Sequence, residues 1–324
     1  VIESRGLGDV YKRQVFRDFS VDFCHNEKAQ DVVVLTGVNG SGKSTILGFL
    51  FGALAHDIPE YTSPSENGFI ELEHPEKNNN EIIPIKRFSP TKIPLEWTDG
   101  ENIADKALLV LPENTDDNQV SDLIVEFIDH LIYEQNYQSE AAYTKVEELL
   151  KSTLPGFKLQ VEFNRLDRFK QLFFKSKQSE YIPIAQLSGG EKQLITTAFT
   201  FYLADIKDSV ILIDEPEFSL HPAWQGKIMD VFKNFAKQNN NQFIIATHSP
   251  HIVSAVSKEQ LYVLAEEDGK IQALNAGSET YGRKVDGILL DVFGLDGLRA
   301  PEVDQKLNQL HKWLADGMYK TPAF

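Results

Sequence analysis

Cysteine is almost missing from this sequence. Cys24 is the single example in 324 residues, which excludes an internal disulfide and leaves no second thiol to share a metal site. A reduced thiol in a cytoplasmic setting is the expectation. Long apolar runs are also missing, so no membrane-spanning segment is expected. Positive charge is short: 32 Lys and Arg stand against 48 Asp and Glu, a net charge of −16. That balance opposes non-specific nucleic-acid binding by the surface as a whole. It does not exclude a local basic groove. What is present is ordinary for a globular chain, with 42% hydrophobic and 25% charged residues. The length suits one large domain, or one domain with an insert.

Residues 1–14 show no helical or strand period and lack the apolar core of a signal peptide. They look like translated sequencing-adaptor read-through. They are taken as a non-native leader, with natural sequence resuming near Val15.

The chain is organised around Gly37-Val38-Asn39-Gly40-Ser41-Gly42-Lys43-Ser44-Thr45. This stretch fits G-x-x-x-x-G-K-[ST], a loop that cradles phosphates. Val32-Val33-Val34-Leu35 before it reads as a buried parallel strand, and Ile46-Leu47-Gly48-Phe49-Leu50-Phe51 after it opens a helix. The glycines let several backbone N–H groups converge on one anion. The helix N-terminus adds about half a positive charge behind them. Asn39 to Thr45 form the expected nucleotide-binding segment. Lys43 reaches the outer phosphates, and the Ser44 hydroxyl takes a magnesium site.

Around this loop the pattern alternates. Residues 16–23 read as an edge strand, residues 26–28 as a turn, and residues 69–72 and 82–85 as two antiparallel strands. Residues 89–118, rich in proline and acid, carry no clear element. Residues 120–133 and 141–150 have apolar residues at helical spacing. Residues 158–163 and 171–174 read as further strands. Three apolar runs of parallel-strand length come next, at 210–213, 243–246 and 261–264, with a helix over 224–237 between the first two. The tail from 302 to 318 carries Val303, Leu307, Leu310 and Leu314 on one stripe.

Asp214 and Glu215 directly follow Val210-Ile211-Leu212-Ile213. A parallel strand ending there brings both carboxylates to the sheet edge where the phosphate loop opens. Asp214 is expected to hold magnesium, directly or through water. Glu215 is expected to orient and deprotonate an attacking water. An acid pair in a surface turn is the plain alternative. His248 ends Phe243-Ile244-Ile245-Ala246-Thr247 in the same way, where it could donate to the γ-phosphate or serve only structure. Ser188 and Glu191 fit an S-x-x-E capping box. That reading leaves Gly189 and Gly190 unexplained, since interior glycines each cost a helix roughly 1 kcal/mol. Close approach of another group to this backbone would explain them.

With Leu187-Ser188-Gly189-Gly190-Glu191-Lys192-Gln193 included, the order of motifs resembles the Walker A, signature, Walker B and switch-histidine series of ABC-type ATPases. Glu215-Pro216-Glu217-Phe218-Ser219-Leu220-His221-Pro222 and Ala246-Thr247-His248-Ser249-Pro250 are similar to the SMC-like and overcoming-lysogenisation-defect branch. Transporter ATPases usually carry Ala-Leu-Asp in place of Leu220-His221-Pro222. The tail segments Tyr281-Gly282-Arg283, Ile288-Leu289, Val292-Phe293-Gly294 and Pro301-Glu302-Val303 resemble ATPase subunits of Septu-type and retron phage-defence systems.

The resemblance implies an α/β P-loop fold of ABC type. Its central sheet would be mostly parallel with flanking helices, an antiparallel β subdomain and a short helical insert. The domain would span 15–324, with the insert near 103–155 and a helical tail near 280–324. It implies ATP and Mg2+ as cofactors, Glu215 and His248 as catalytic residues, and a head-to-tail homodimer formed on ATP binding. In that dimer Ser188, Gly189 and Gly190 would meet the nucleotide held by the partner's Lys43. The stretch from Thr45 to Leu187 is too short for a long coiled coil, and the coupling glutamine after the first helix is not identifiable. The chain after Leu264 is too short for a Toprim nuclease module, so a nuclease or other effector would be a separate chain, with DNA reached through the complex and no membrane partner. Three readings compete with this: a repair or chromosome-type ATPase binding DNA itself, a nucleotide switch with negligible turnover, and a transporter subunit.

Overall fold

A computed structural model describes residues 2–4, 19–26, 28–55, 68–70, 107–110, 117–204, 207, 209–295, 298 and 301–316. In chain order its strands begin with β1 (Ile2–Ser4), β2 (Ser20–Val21), β3 (Cys24–His25), β4 (Lys28–Ala29) and β5 (Val32–Gly37). They continue with β6 (Gly68–Ile70), β7 (Ala107–Val110), β8 (Glu162–Leu166), β9 (Leu172–Lys175) and β10 (Ile182–Pro183). The last four are β11 (Val210–Asp214), β12 (Gln242–Ala246), β13 (Leu261–Glu267) and β14 (Lys270–Asn275). The helices are α1 (Lys43–Ala55), α2 (Asp117–Asp129), α3 (Ser139–Thr153), α4 (Gly189–Ala204) and α5 (Pro222–Asn239), then α6 (Pro250–Val253), α7 (Val285–Asp291) and α8 (Pro301–Ala315).

A six-stranded sheet in the order β14-β13-β5-β12-β11-β7 forms the centre. The strands from β13 to β7 all run parallel, and β14 closes one edge antiparallel to β13. The apolar runs are near-continuous because both faces are covered. Val32, Val34, Ile211, Ile213, Phe243 and Ile245 face one core, shared with α2, α4 and α5. Val33, Leu35, Leu212, Ile244 and Ala246 face the other, which Ile46, Leu47 and Leu50 of α1 fill. The fold is therefore α/β with a mostly parallel sheet, flanking helices and separate antiparallel sheets.

Those small sheets are β2-β1-β6, β10-β9-β8 and the two-stranded β3-β4. Ile2–Ser4 lies in the middle of the first, paired on both sides. The sequence shows no strand period there. A three-residue strand is too short to show one, and pairing on two sides satisfies its backbone whatever its side chains. The turn expected at 26–28 joins β3 to β4, with Asn26 in the left-handed region (φ 51°).

Other boundaries shift for local reasons. Residues 158–161 are not strand, since the Gln160 N–H donates to the Glu191 carboxylate at 3.2 Å. The ladder instead runs to Leu166 through a bulge between Phe163 and Arg165. Ala107–Val110, within the stretch expected as helical insert, is the sheet strand β7 beside β11. Four apolar residues amid acid and proline gave too short a signal. The helices expected over 120–133 and 141–150 are α2, continued by a short π-helical segment His130–Glu134, and α3. The strand expected over 82–85 lies outside the described residues.

Leu220-His221-Pro222 starts α5. The His221 ring accepts from the Ala223 N–H at 3.2 Å, with Pro222 at the first helical position. Beneath α5, Phe232 stacks on Phe243 at 5.3 Å, and Phe201 contacts Phe232, Phe235 and Phe243. Phe243 is fully buried. Phe243→Ala is therefore expected to destabilise the protein by about 3–5 kcal/mol in chemical denaturation. A loss below about 1 kcal/mol would mean that the cluster collapses to fill the gap.

Candidate nucleotide site

β5, β11 and β12 lie side by side and parallel, so their C-terminal ends open at one edge. β5 delivers the loop 37–45, β11 delivers Asp214 and Glu215, and β12 delivers Thr247 and His248. The loop takes its path from Gly40 (φ 82°) and Gly42 (φ 88°), in a region that side-chain-bearing residues seldom enter. The Ser41 N–H donates to the Val38 carbonyl at 3.1 Å, and the Ile46 N–H to the Gly42 carbonyl at 2.9 Å, where α1 begins. Asn39, Gly40, Ser44 and Thr45 are exposed.

Lys43 is only 4% exposed. Its ammonium donates to the carbonyls of Gly37 (3.0 Å) and Val38 (3.1 Å) and to Ser41 Oγ (3.4 Å). Burial lowers its pKa, while the nearby Glu215, Asp214 and Glu217 carboxylates raise it. The loop thus holds a desolvated cation at its centre, with acids facing it.

Asp214 is buried, and burial pushes its carboxyl above the usual range. A hydrogen bond with the Ser44 side chain lowers it, Glu215 raises it further and Lys43 lowers it. Asp214 Oδ1 is buried without a hydrogen-bond partner. An orphaned carboxylate oxygen beside a hydroxyl suits a hard divalent cation. Among the described residues no group of three His, Cys, Asp or Glu could hold a metal alone. Magnesium fits that arrangement, because it is commonly held by one or two protein groups with substrate phosphates and water. Ser44 and Asp214 would be those groups.

Glu215 sits at φ 46°, a strained conformation for a residue with a side chain. Such strain costs about 1–3 kcal/mol and persists where surroundings enforce it. The Glu215 N–H, donating to the Ala246 carbonyl at 2.8 Å, does so here. His248 Nε2 lies 3.6 Å from Glu215 Oε1, with the two side chains 30% and 36% exposed. Burial, then Lys43, lowers the His248 pKa, and Glu215 raises it. A neutral imidazole beside an accessible carboxylate can orient a water for deprotonation.

Lys43, Ser44, Asp214, Glu215 and His248 therefore converge. Ser188, Gly189 and Gly190 do not join them through any described interaction. Ser188 forms the capping box with Glu191: its N–H and hydroxyl donate to Glu191 Oε2 (3.1 and 2.7 Å), and Ser188 Oγ accepts from the Glu191 N–H (3.3 Å). Ser188 and Gly189 are exposed. Gly190 is buried, and a Cβ there would meet the Ser219 carbonyl at 2.9 Å and the Trp224 ring at 3.3 Å. Close approach does explain this glycine, but the approaching groups belong to the same chain. Gln193 ties α4 to the same loop, donating to the Pro216 carbonyl at 2.8 Å.

Sequence reasoning passed over Glu217. It is half-buried, with Oε2 fully enclosed, and burial raises its pKa against the hydrogen bonds that lower it. Its Oε1 accepts from Thr247 Oγ1 and from the His248 N–H, both at 2.7 Å. An acid two residues past Glu215 was the available signal, but nothing in one dimension told enclosed from exposed.

Residues 99–254 match the family described as AAA domain, putative AbiEii toxin, Type IV TA system. That stretch is similar to an AAA domain over just under half of the chain. The matched stretch includes the signature segment, the Asp214-Glu215 pair and His248, and it begins after the phosphate loop. Protein ea59 of Escherichia phage lambda is 23% identical over 312 residues, covering 87% of this chain and 58% of that protein. Septu protein PtuA of Bacillus thuringiensis is 35% identical over 111 residues, 33% of this chain and 28% of PtuA. The Retron Vc95 probable ATPase of Vibrio cholerae is 25% identical over 207 residues, 60% of this chain and 40% of that protein. The chain thus aligns with between 28% and 58% of the length of these relatives. Among the described residues, no helix is long and apolar enough to cross a membrane.

The Asp214 carboxyl gives a pH prediction. Its pKa is raised by folding, so its contribution to stability is present below the ordinary carboxylate pKa and lost as pH rises through the raised value. Asp214→Asn should therefore raise the melting temperature of nucleotide-free protein at neutral pH and flatten its pH dependence. A lower melting temperature at neutral pH would mean that attraction to Lys43 outweighs burial.

Proposed function

We propose that this chain binds magnesium–ATP, hydrolyses it, and uses the bound state to join two copies head to tail. The carrying observation is the convergence of Lys43, Asp214, Glu215 and His248 at one sheet edge. In this reading Lys43 and the loop N–H groups hold the phosphates, and Ser44 and Asp214 hold the metal. Magnesium would neutralise phosphate charge and polarise the transferred group. The Glu215 carboxylate accepts the proton of the attacking water. His248 holds the geometry between that water and the γ-phosphate. The strained backbone at Glu215 fixes the carboxylate before substrate arrives, which lowers reorganisation during the reaction.

The second half of the reading concerns the exposed Ser188-Gly189 edge. With no described tie to its own Lys43, it is free to cap a nucleotide held by a second copy. The γ-phosphate then becomes the contact present before hydrolysis and absent after it, which is what a switch needs. Similarity to a Septu protein and to a retron ATPase supports a role in phage defence, with the dimer controlling a separate effector, a nuclease by this reading.

Glu215→Gln tests the chemistry and the dimer together. Turnover should fall by about 10²–10⁴-fold, while ATP-dependent dimers persist in size-exclusion chromatography. Lys43→Ala should weaken ATP binding and abolish those dimers. Full turnover in Glu215→Gln would remove the proposed base, and monomers in saturating ATP would remove the head-to-tail assembly.

A further inference from the structure

Glu217 has no part in the chemistry above, yet one of its carboxylate oxygens accepts two short hydrogen bonds from the end of β12. Resting on the ATPase reading, we propose that Glu217 is a positioning residue: its carboxylate clamps the end of β12 and so sets His248 against Glu215. It acts as a hydrogen-bond acceptor rather than as a charge.

The clamp closes around Thr247. The Thr247 N–H donates to the Leu35 carbonyl at 3.0 Å, and its carbonyl accepts from Thr36 Oγ1 at 3.1 Å. Its hydroxyl oxygen accepts from the Ser249 N–H at 2.9 Å and donates to Glu217 Oε1 at 2.7 Å. Its bonds to Leu35 and Thr36 therefore fix Thr247 on the β5 side, and Glu217 fixes it on the other. His248 is the next residue, beyond the last paired position of the strand. Its N–H also donates to Glu217 Oε1, at 2.7 Å. One oxygen thus sets both the residue just past the strand and the direction in which the imidazole leaves it.

The opposite end of the clamp is equally fixed. Glu217 lies in the turn after β11, where the Phe218 N–H donates to the Glu215 carbonyl at 3.0 Å and the Leu220 N–H to the Glu217 carbonyl at 2.9 Å. The clamp therefore spans from the residue bearing the proposed base to the residue bearing the imidazole, which sit 3.6 Å apart.

Stability alone is a poor reason for this acid. Its second oxygen, Oε2, is buried without a partner, and burying an incompletely bonded carboxylate is unfavourable. Desolvation raises its pKa, so the charged form is disfavoured where it stands. An acceptor of this shape is what the two donors require, and the charge is incidental to them.

The test compares Glu217→Ala with Glu217→Gln, whose amide oxygen can still accept both bonds. Glu217→Met, similar in volume but without an acceptor, replaces the alanine variant should that fail to fold. Glu217→Ala should lower kcat by about 10–100-fold, as loss of orienting partners does elsewhere, with KM for ATP little changed. Glu217→Gln should stay within about threefold of the wild type. Adding His248→Ala to Glu217→Ala should cost little more, because both remove one coupled unit. The His248 ring signals in NMR of nucleotide-free protein should move in Glu217→Ala and stay in place in Glu217→Gln. Equal loss of kcat in both variants would overturn the acceptor role in favour of charge. Unmoved His248 signals in Glu217→Ala would overturn the clamp, and that readout holds even if the wild type shows no turnover, a result that would sink the ATPase reading by itself.

Discussion

The parallel register of three strands holds everything else in place. Leu35 of β5 pairs with Ala246 of β12, and Ala246 pairs with Asp214 of β11. All three strands therefore stop at nearly the same level, and the residues beyond their ends are delivered to the same edge. Two hydrogen bonds extend the register past the strands: Glu215 N–H to the Ala246 carbonyl, and Thr247 N–H to the Leu35 carbonyl. A slip of one residue would turn each alternating side chain to the opposite face. It would also exchange the residues offered at the edge, so packing and chemistry fail together.

That edge is costly to stability. It contains the buried Lys43 ammonium, the buried Asp214 carboxylate, the half-buried Glu217 carboxylate and a strained backbone at Glu215. Each of these is unfavourable taken alone. Attraction between Lys43 and the acids offsets part of this cost, although burial outweighs it, lowering the Lys43 pKa and raising that of Asp214. The remainder is carried by the two apolar cores on either face of the sheet. Under the proposed function such loading is expected, since nucleotide and metal would bring the missing counter-charges.

The signature segment obeys different physics. Its capping box is closed within one chain, and its buried glycine is explained by Ser219 and Trp224. α4 is thereby locked to the 215–221 turn, with Gln193 as a second tie. The same turn carries Glu215 at one end and supports Gly190 near the other. The contacts of that turn therefore join the Glu215 edge to the start of α4, next to the exposed Ser188 and Gly189.

Much of this was legible in one dimension. Periodic and local patterns carry strand and helix identity, and 210–213, 243–246 and 261–264 read as buried parallel strands because both sheet faces are covered. The phosphate loop was legible because its glycines and its lysine sit at fixed spacing inside one turn. β7 was hidden because four apolar residues beside the acid-rich stretch are too few to show a period. β14 was hidden because its alternation is weak, with exposed Leu274 breaking it. Glu217 looked like any acid after a strand. Residue order thus settled where the main strands, helices and the glycine-rich loop lie, since those patterns depend on neighbours along the chain. Whether an acid is buried, which backbone a glycine must admit, and how far His248 stands from Glu215 were settled by folding. They depend on contacts between segments distant in sequence, and no local pattern encodes those.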